Sequence, residues 1–438
     1  MPPQGRRPHL LYVAWGFPPC RSGGVYRALA TANAFAAGGW DVTVLTIDRD
    51  LWARRTGADP ALEQLVDPRI RVERIPFSWP ALEDDLAAWP LRRVLAPRLW
   101  ARVRAQLDRI PFPEKVYGPW RRELERAADR IHGEHPVDLV VATTNPQVAV
   151  TAAWHLHRRH RVPYVVDYRD AWTLDVFSGE RLHGPRSRAA RWEARTLAAA
   201  REIWFVNEPI RAWHQQVYPA AAARMQVVAN GFDQPVHPPH GRPRTSDALR
   251  FTYVGTISAK VPVAELLAGW REARRADPAL QDAQADLHGY LGFYGTADQR
   301  LARTLAEGEH EGLRYRGPVS RTRVAEVYAD SDVLLLVLGK GRYVTSGKVF
   351  EYLSTGLPIV SVHDPGNAAS DVLRGYPLWF PADDLSAPAV AAALTAAARA
   401  ARAPDPAVAE ACRAFAARYS RERQLAPRVQ ALREEVTR

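Results

Sequence analysis

Apolar residues in this chain fall into short unbroken runs, each bounded by glycine, proline or a stretch of helical period. His9-Leu-Leu-Tyr-Val-Ala-Trp15 is the first run, followed by a Gly/Pro-rich loop to Gly24 and a helical pattern over residues 25–37. Val42-Thr-Val-Leu-Thr46 is the next run. Short runs rich in β-branched residues, separated by amphipathic helices, predict parallel strands joined by βαβ crossovers. The pattern continues with strands at 138–143 and 164–167, a helix at 148–160 between them, and strands at 202–206 and 226–228. Residues 233–247 are rich in Pro, His and Gly, lack an apolar period, and read as an interdomain linker. Beyond them the alternation restarts, with strands at 250–254, 284–289, 314–315 and 333–337 and helices at 262–275, 296–307 and 322–329. A short helix near 347–355 and a β-branched strand at 359–362 follow, and residues 406–438 are helical again. The fold class expected is α/β, with two domains at 1–235 and 236–405 and a terminal helical segment, 406–438, packing back across them. Ligands in such sheets sit at the carboxyl ends of the strands.

Residues 81–130 depart from this pattern. Trp89, Leu91, Val94, Leu95, Leu99, Trp100 and Val103 recur at near-helical spacing among arginines. The segment reads as a helical insertion packed on the first domain, or as an acceptor-side or membrane-contacting surface.

At 438 residues the chain is too long for one ordinary core, and 47% hydrophobic residues suffice for two. All but four of the 59 basic residues are arginine, the exceptions being Lys115, Lys260, Lys340 and Lys348. The net charge of +11 invites a nucleic-acid reading, but the arginines are spread over many helices with no recognition helix or aromatic platform. Cys20 and Cys412 stand almost a chain length apart and form no metal or disulfide pattern, which fits a reducing compartment. No apolar run approaches the ~18–20 residues needed to cross a bilayer. The expected location is cytoplasmic, peripheral to a membrane at most.

Candidate chemistry gathers after the strands. Thr345-Ser346-Gly347 opens a helix carrying Lys348 and Glu351, and Gly356-Leu357-Pro358 ends it. A positive charge beside free helix-start amides suits a phosphate, and a carboxylate one turn further accepts two hydroxyl hydrogen bonds, as a ribose diol requires. An ordinary α/β helix start fits the same residues. Ser22-Gly23-Gly24 and Arg27 follow the first strand, where paired glycines allow close ligand approach. The loop is neither GxGxxG nor a Walker loop, which argues against nicotinamide enzymes and ATPases. Asp167, Arg169 and Asp170 end a buried strand, where charges need partners or a use. Lys260 follows the first strand of the second domain, and Arg316-Gly-Pro-Val319 follows another. Asp330-Ser-Asp332 reads as the start of a buried strand rather than a metal motif. His155-x-His157-x-x-His160 has no acidic or Cys companions and, in an Arg-rich helix, reads as surface rather than metal site.

Taken in order, FPP-x-x-SGG-V-x-R, D-x-RD-x-W, V-x-NGFD, YVGT-I, GPV before a helix and SGK-x-FEYLSTGLP resemble the GT-B glycosyltransferases of family 4 type over nearly the whole chain. The resemblance implies two Rossmann-like domains with parallel sheets facing a central cleft, the acceptor bound mainly by the first and a UDP- or GDP-linked sugar by the second. It implies transfer with retention, no metal and no cofactor beyond the substrate. Gly23 and Gly24 would face the donor phosphates, Lys260 and Gly347 with Lys348 the diphosphate, Glu351 the ribose and the Val319 backbone the base. Ser346 and Arg27 are added as donor contacts, and Asp170 as the group that orients the acceptor or balances charge, beside Arg169. Two positions depart from the family pattern: Tyr343 stands where a second glutamate is usual, and Thr256 where an arginine is usual. The acceptor expected is a small polar metabolite or natural-product intermediate, with a lipid-linked one as the alternative. A GT-B sugar-nucleotide epimerase and a catalytically silent binding subunit are the rival functions. No nucleic-acid partner is expected, and oligomeric state is not legible.

Overall fold

The computed structural model describes residues 6–55, 57–83, 85–233, 248–292, 299–320 and 323–438. The expected linker therefore lies outside the described residues except for Asp233, as do the first residues of the helices expected at 296–307 and 322–329. The described chain divides into two compact units, one formed by residues 6–175, 179–229 and 424–438, the other by 176–178 and 230–423.

In the first unit the elements run β1 (His9–Val13), α1 (Val25–Ala37), β2 (Asp41–Ile47), α2 (Arg49–Arg55), β3 (Arg71–Ile75), α3 (Leu91–Leu95), α4 (Pro97–Asp108) and α5 (Trp120–Glu134). They continue as β4 (Leu139–Thr143), α6 (Val150–His160), β5 (Tyr164–Tyr168), α7 (Arg188–Ala199), β6 (Glu202–Phe205), α8 (Glu208–Val217) and β7 (Met225–Val227). The second unit contains β8 (Arg250–Val254), α9 (Val263–Ala276), β9 (Gln284–His288), α10 (Gln299–Glu309), β10 (Leu313–Gly317), α11 (Val324–Ala329), β11 (Val333–Val337) and α12 (Gly347–Leu353). It ends with β12 (Ile359–Val362), α13 (Ala368–Leu373), β13 (Trp379–Pro381), α14 (Ala387–Arg402) and α15 (Pro406–Ala417), after which α16 (Arg421–Val436) runs into the first unit.

Both sheets are parallel throughout, with strand order β3-β2-β1-β4-β5-β6-β7 in the first and β10-β9-β8-β11-β12-β13 in the second. In each, the chain winds outward from a central strand and then reverses, so β1/β4 and β8/β11 are the switch points where loops diverge and leave room for a ligand. The central runs read as strands are buried on both faces; β1, β4, β5 and β11 carry no exposed residue, whereas β7 and β10 are partly open. Asp332 serves the sheet as expected, its Oδ2 accepting the Arg250 amide at 2.8 Å.

Two strands escaped the sequence reading. In β3 the pattern Arg-Val-Glu-Arg-Ile leaves only Ile75 buried, because the strand lies at the sheet edge, and its charges pair with Glu134 and Arg130 of α5. The other, β13, is three residues long, at the far edge of the second sheet.

The C-terminal helices part company. α16 buries Leu425, Val429 and Leu432 in the core that β1, β2, β4 and α1 form in the first unit, while α15 packs against α12 in the second.

Candidate functional site

In the second unit, α12 starts just beyond the switch-point strand β11 and lays Lys348 across the end of β8. Ser346 caps the helix, its Oγ accepting the Lys348 amide. Tyr352 on the same helix accepts the Val254 amide at 3.0 Å, which fixes α12 against β8. Lys348 Nζ donates to Tyr253 Oη at 2.6 Å and sits 4.2 Å from the centre of that ring. The lysine stem occupies the space a side chain at Gly255 would fill: a Cβ there would lie 2.5 Å from Nζ and 2.8 Å from Cδ. Gly255 also has φ +151°, so both backbone and packing demand glycine. Enclosure by these groups strips water from the ammonium and pushes its pKa down to about 7, with Glu351 opposing the shift only in part. Glu351, one turn on, accepts from Tyr328 Oη at 3.1 Å.

The other expected donor residues lie in loops at the same end of this sheet. Lys260 is exposed on the loop after β8, its Nζ 4.5 Å from the Phe177 ring, and Thr256 is half-buried in that loop. Val319 follows β10, and Tyr343 and Gly347 flank Ser346 on the approach to α12.

In the first unit, Gly23 and Gly24 lead into α1 at the β1/β4 switch point. A Cβ on Gly24 would fall 1.1 Å from Nη1 of Arg169, so the guanidinium fills the space a side chain there would need. Arg169 donates to the Asn145 carbonyl at 2.9 Å, and its Nε is 3.8 Å from Asp170. Asn145 in turn donates to Asp170 Oδ2 at 2.6 Å. The carboxylate of Asp170 remains 55% exposed, held but open to solvent. Gly24, Asn145 and the adjacent pair Arg169 and Asp170, from three separate loops, thus form one cluster beyond β1, β4 and β5.

Arg27 is the exception. Expected as a donor contact, it is turned into the core, where Nε and Nη2 grip Asp167 at 3.0 and 2.6 Å and Nη1 donates to the Val228 carbonyl at 2.8 Å. Both partners are buried, and a buried carboxylate with no exposed face draws the nearest guanidinium to itself.

Tyr253, Tyr328 and Asn145 were missed. Each acts by holding a charged neighbour. Only Asn145 carried a linear signal, an Asn-Pro turn directly after a strand. Among the described residues no group of three or more His, Cys, Asp or Glu side chains gathers as a metal site. The histidine run does have an acidic companion, however: α5 brings Asp129 within 2.9 Å of His155. Crossover packing, invisible in the linear pattern, supplies it.

Residues 22–231 match the family model described as glycosyl transferase 4-like domain. No curated protein matches the chain in sequence. Among solved structures, a glycosyltransferase from Rickettsia africae superposes with a TM-score of 0.69 at 12% identity, covering 99% of this chain and 100% of that one. A sucrose-phosphate synthase from Thermosynechococcus elongatus gives 0.63 at 14% identity over 98% and 100%. Anabaena HepE in complex with UDP and glucose gives 0.58 at 14% identity over 96% and 98%. Residues 22–231 thus match a glycosyl transferase 4-like domain, and the whole chain shares the two-unit α/β fold of these GT-B structures.

Proposed function

We propose that the protein moves a sugar from a nucleoside-diphosphate donor to a hydroxyl- or thiol-bearing acceptor, with retention at the anomeric carbon and without a metal. The enclosed Lys348 carries this reading: a lysine stripped of water beside a switch-point strand regains its charge when an anion arrives, and a diphosphate is such an anion. Glu351, one turn on, meets the ribose diol, and the Val319 backbone meets the base. Lys260, Thr256, Ser346 and Gly347 complete the phosphate surroundings, and Tyr343 contacts the donor sugar. The donor is UDP- or GDP-linked; the UDP bound in the structurally similar Anabaena protein supports a nucleoside-diphosphate donor.

The chemistry is charge stabilisation. The bond from the anomeric carbon to the diphosphate oxygen breaks as the acceptor oxygen or sulfur attaches on the same face, and the acceptor proton passes to the departing phosphate. Lys348 and Lys260 stabilise the leaving anion. On the first unit, Gly23 allows close approach while Arg169 rests on Gly24, and Asp170, steadied by Asn145 and Arg169, orients the acceptor. The acceptor is a small polar metabolite or natural-product intermediate, or its lipid-linked counterpart.

A thermal-shift panel of UDP, GDP, dTDP and ADP identifies the base, and turnover with the matching nucleotide-sugars tests the reaction. Lys348→Ala and Lys260→Ala are each expected to lower turnover roughly 10²–10³-fold, the scale of losing one charge-stabilising donor. Near-parental turnover in both variants refutes the assignment. Tight nucleotide binding with no consumption of any nucleotide-sugar identifies a silent subunit instead.

A further inference from the structure

We propose that helices α3 and α4 form a docking surface for an anionic lipid bilayer. The two helices are built inside out. Arg93 on α3 is buried, stacked 3.6 Å from the Trp89 ring and 5.1 Å from the Trp100 ring, and it donates to the Pro80 carbonyl at 2.7 Å. Asp108 at the end of α4 is buried too, and pairs with Arg104 at 2.8 Å. The polar and aromatic side of the insertion therefore faces the protein, while the aliphatic side faces outward. Leu91, Leu95, Leu99, Val103 and Leu107 recur every four residues along that outer side, and together with Val94 they are between 49% and 75% exposed. Leu86 and Ile110 extend the stripe at both ends.

Aliphatic side chains arranged this way are stable against an apolar partner and unfavourable in water. The charges beside them indicate which partner. Arg92, Arg98, Arg102 and Arg109 are exposed on or beside these helices, and the one acidic residue between 86 and 110, Asp108, is buried. Glu83 and Asp85 precede the stripe, where Asp85 caps the turn of residues 86–88. Within residues 86–110 every exposed charge beside the stripe is an arginine, which matches the acyl boundary and phosphate level of an anionic bilayer, whereas a protein partner would need acidic residues of its own against the arginines. Arg188 fastens the far end of the insertion through the Arg109 and Ile110 carbonyls, at 3.0 and 2.8 Å, so the stripe is presented by a fixed element.

The inference is independent of the transfer reaction, because vesicle binding is read with neither donor nor acceptor present; a failed transferase assay leaves it standing. Co-sedimentation of the full chain with vesicles of phosphatidylcholine containing phosphatidylglycerol, against phosphatidylcholine alone, tests it. Binding to the mixed vesicles, weakened by salt, is expected. The L95Q/L99Q/V103Q variant should lose it, and R92Q/R98Q/R102Q should weaken it by on the order of 100-fold, about one surface-charge contribution per arginine. Because all six side chains are exposed, both variants should keep the parental circular dichroism and nucleotide-induced thermal shift. Failure of the unaltered chain to bind mixed vesicles at low salt overturns the proposal. So does binding that survives loss of the leucines. A dimer in sedimentation equilibrium that the leucine variant dissociates, with no vesicle binding, assigns the face to a second copy instead.

Discussion

Lys348 shows how one residue's surroundings convert a common side chain into a responsive one. Its pKa in the folded chain is about 7, against an ordinary 10.5, because the ammonium is shut away from water against Tyr253 and Gly255. Between those two values the unfolded chain binds the extra proton and the folded one does not. Stability from this group is therefore complete above about pH 10.5 and falls away as the pH drops through about 7. A bound diphosphate reverses the preference, so binding above pH 7 should take up a proton. Affinity for the nucleoside diphosphate is expected to weaken by up to tenfold per pH unit above about 7, and Lys348→Met should flatten the profile. Calorimetry in buffers of different ionisation enthalpy measures the proton directly, and a flat profile from pH 7 to about 9 would count against an anion at this lysine. Arg27 makes the opposite case, a charged residue whose function is the fold itself. Asp167→Asn should cost about 3–5 kcal/mol in chemical denaturation, since it leaves a buried guanidinium without its counter-charge.

At the level of elements, the start of α1 and the loop after β5 are interlocked. Gly24 has ordinary helical angles, φ −77° and ψ −14°, so alanine fits its backbone and meets the Arg169 guanidinium first. Gly24→Ala should lower turnover to the level of Arg169→Ala while shifting the melting temperature little, and the double variant should be no worse than either single one. A large loss of stability in Gly24→Ala would show instead that the loop cannot yield. Elements of this kind were legible in the sequence where burial is two-sided. The strands expected at 9–15, 138–143 and 333–337 coincide with β1, β4 and β11, because continuous apolar runs have no other soluble home. The edge strand β3 was not legible, because its alternation is with charges paired to α5, a contact made across the crossover. For the same reason Lys348 and Glu351 could be picked out from their spacing, whereas Tyr253 and Tyr328, which hold them, could not.

Taken whole, the chain builds its first unit from both ends. The last helix, α16, completes the core of the sheet in which β1 lies, with Val429 pressed against Gly38 at 2.5 Å from where a Cβ would stand. Leu432→Ala should destabilise the first unit by about 2–5 kcal/mol, and hydrogen exchange should localise the loss to β1, β2 and α1 rather than to the second sheet. Equal loosening of both sheets would mean the units are not separate cooperative blocks. What the sequence alone determined here is the alternation of parallel strand and helix, the restart after residue 247, and the loops at strand ends where glycine and charge collect. These follow from local periodicity and backbone chemistry, which need no knowledge of neighbours. Only the tertiary structure decided that Asp167 takes Arg27 from 140 residues away, that Arg169 rests on Gly24, and that the leucines of α4 point out while an arginine is buried beneath them. Those outcomes depend on strand order and on competition between side chains for the few buried partners, and both are properties of the packed chain.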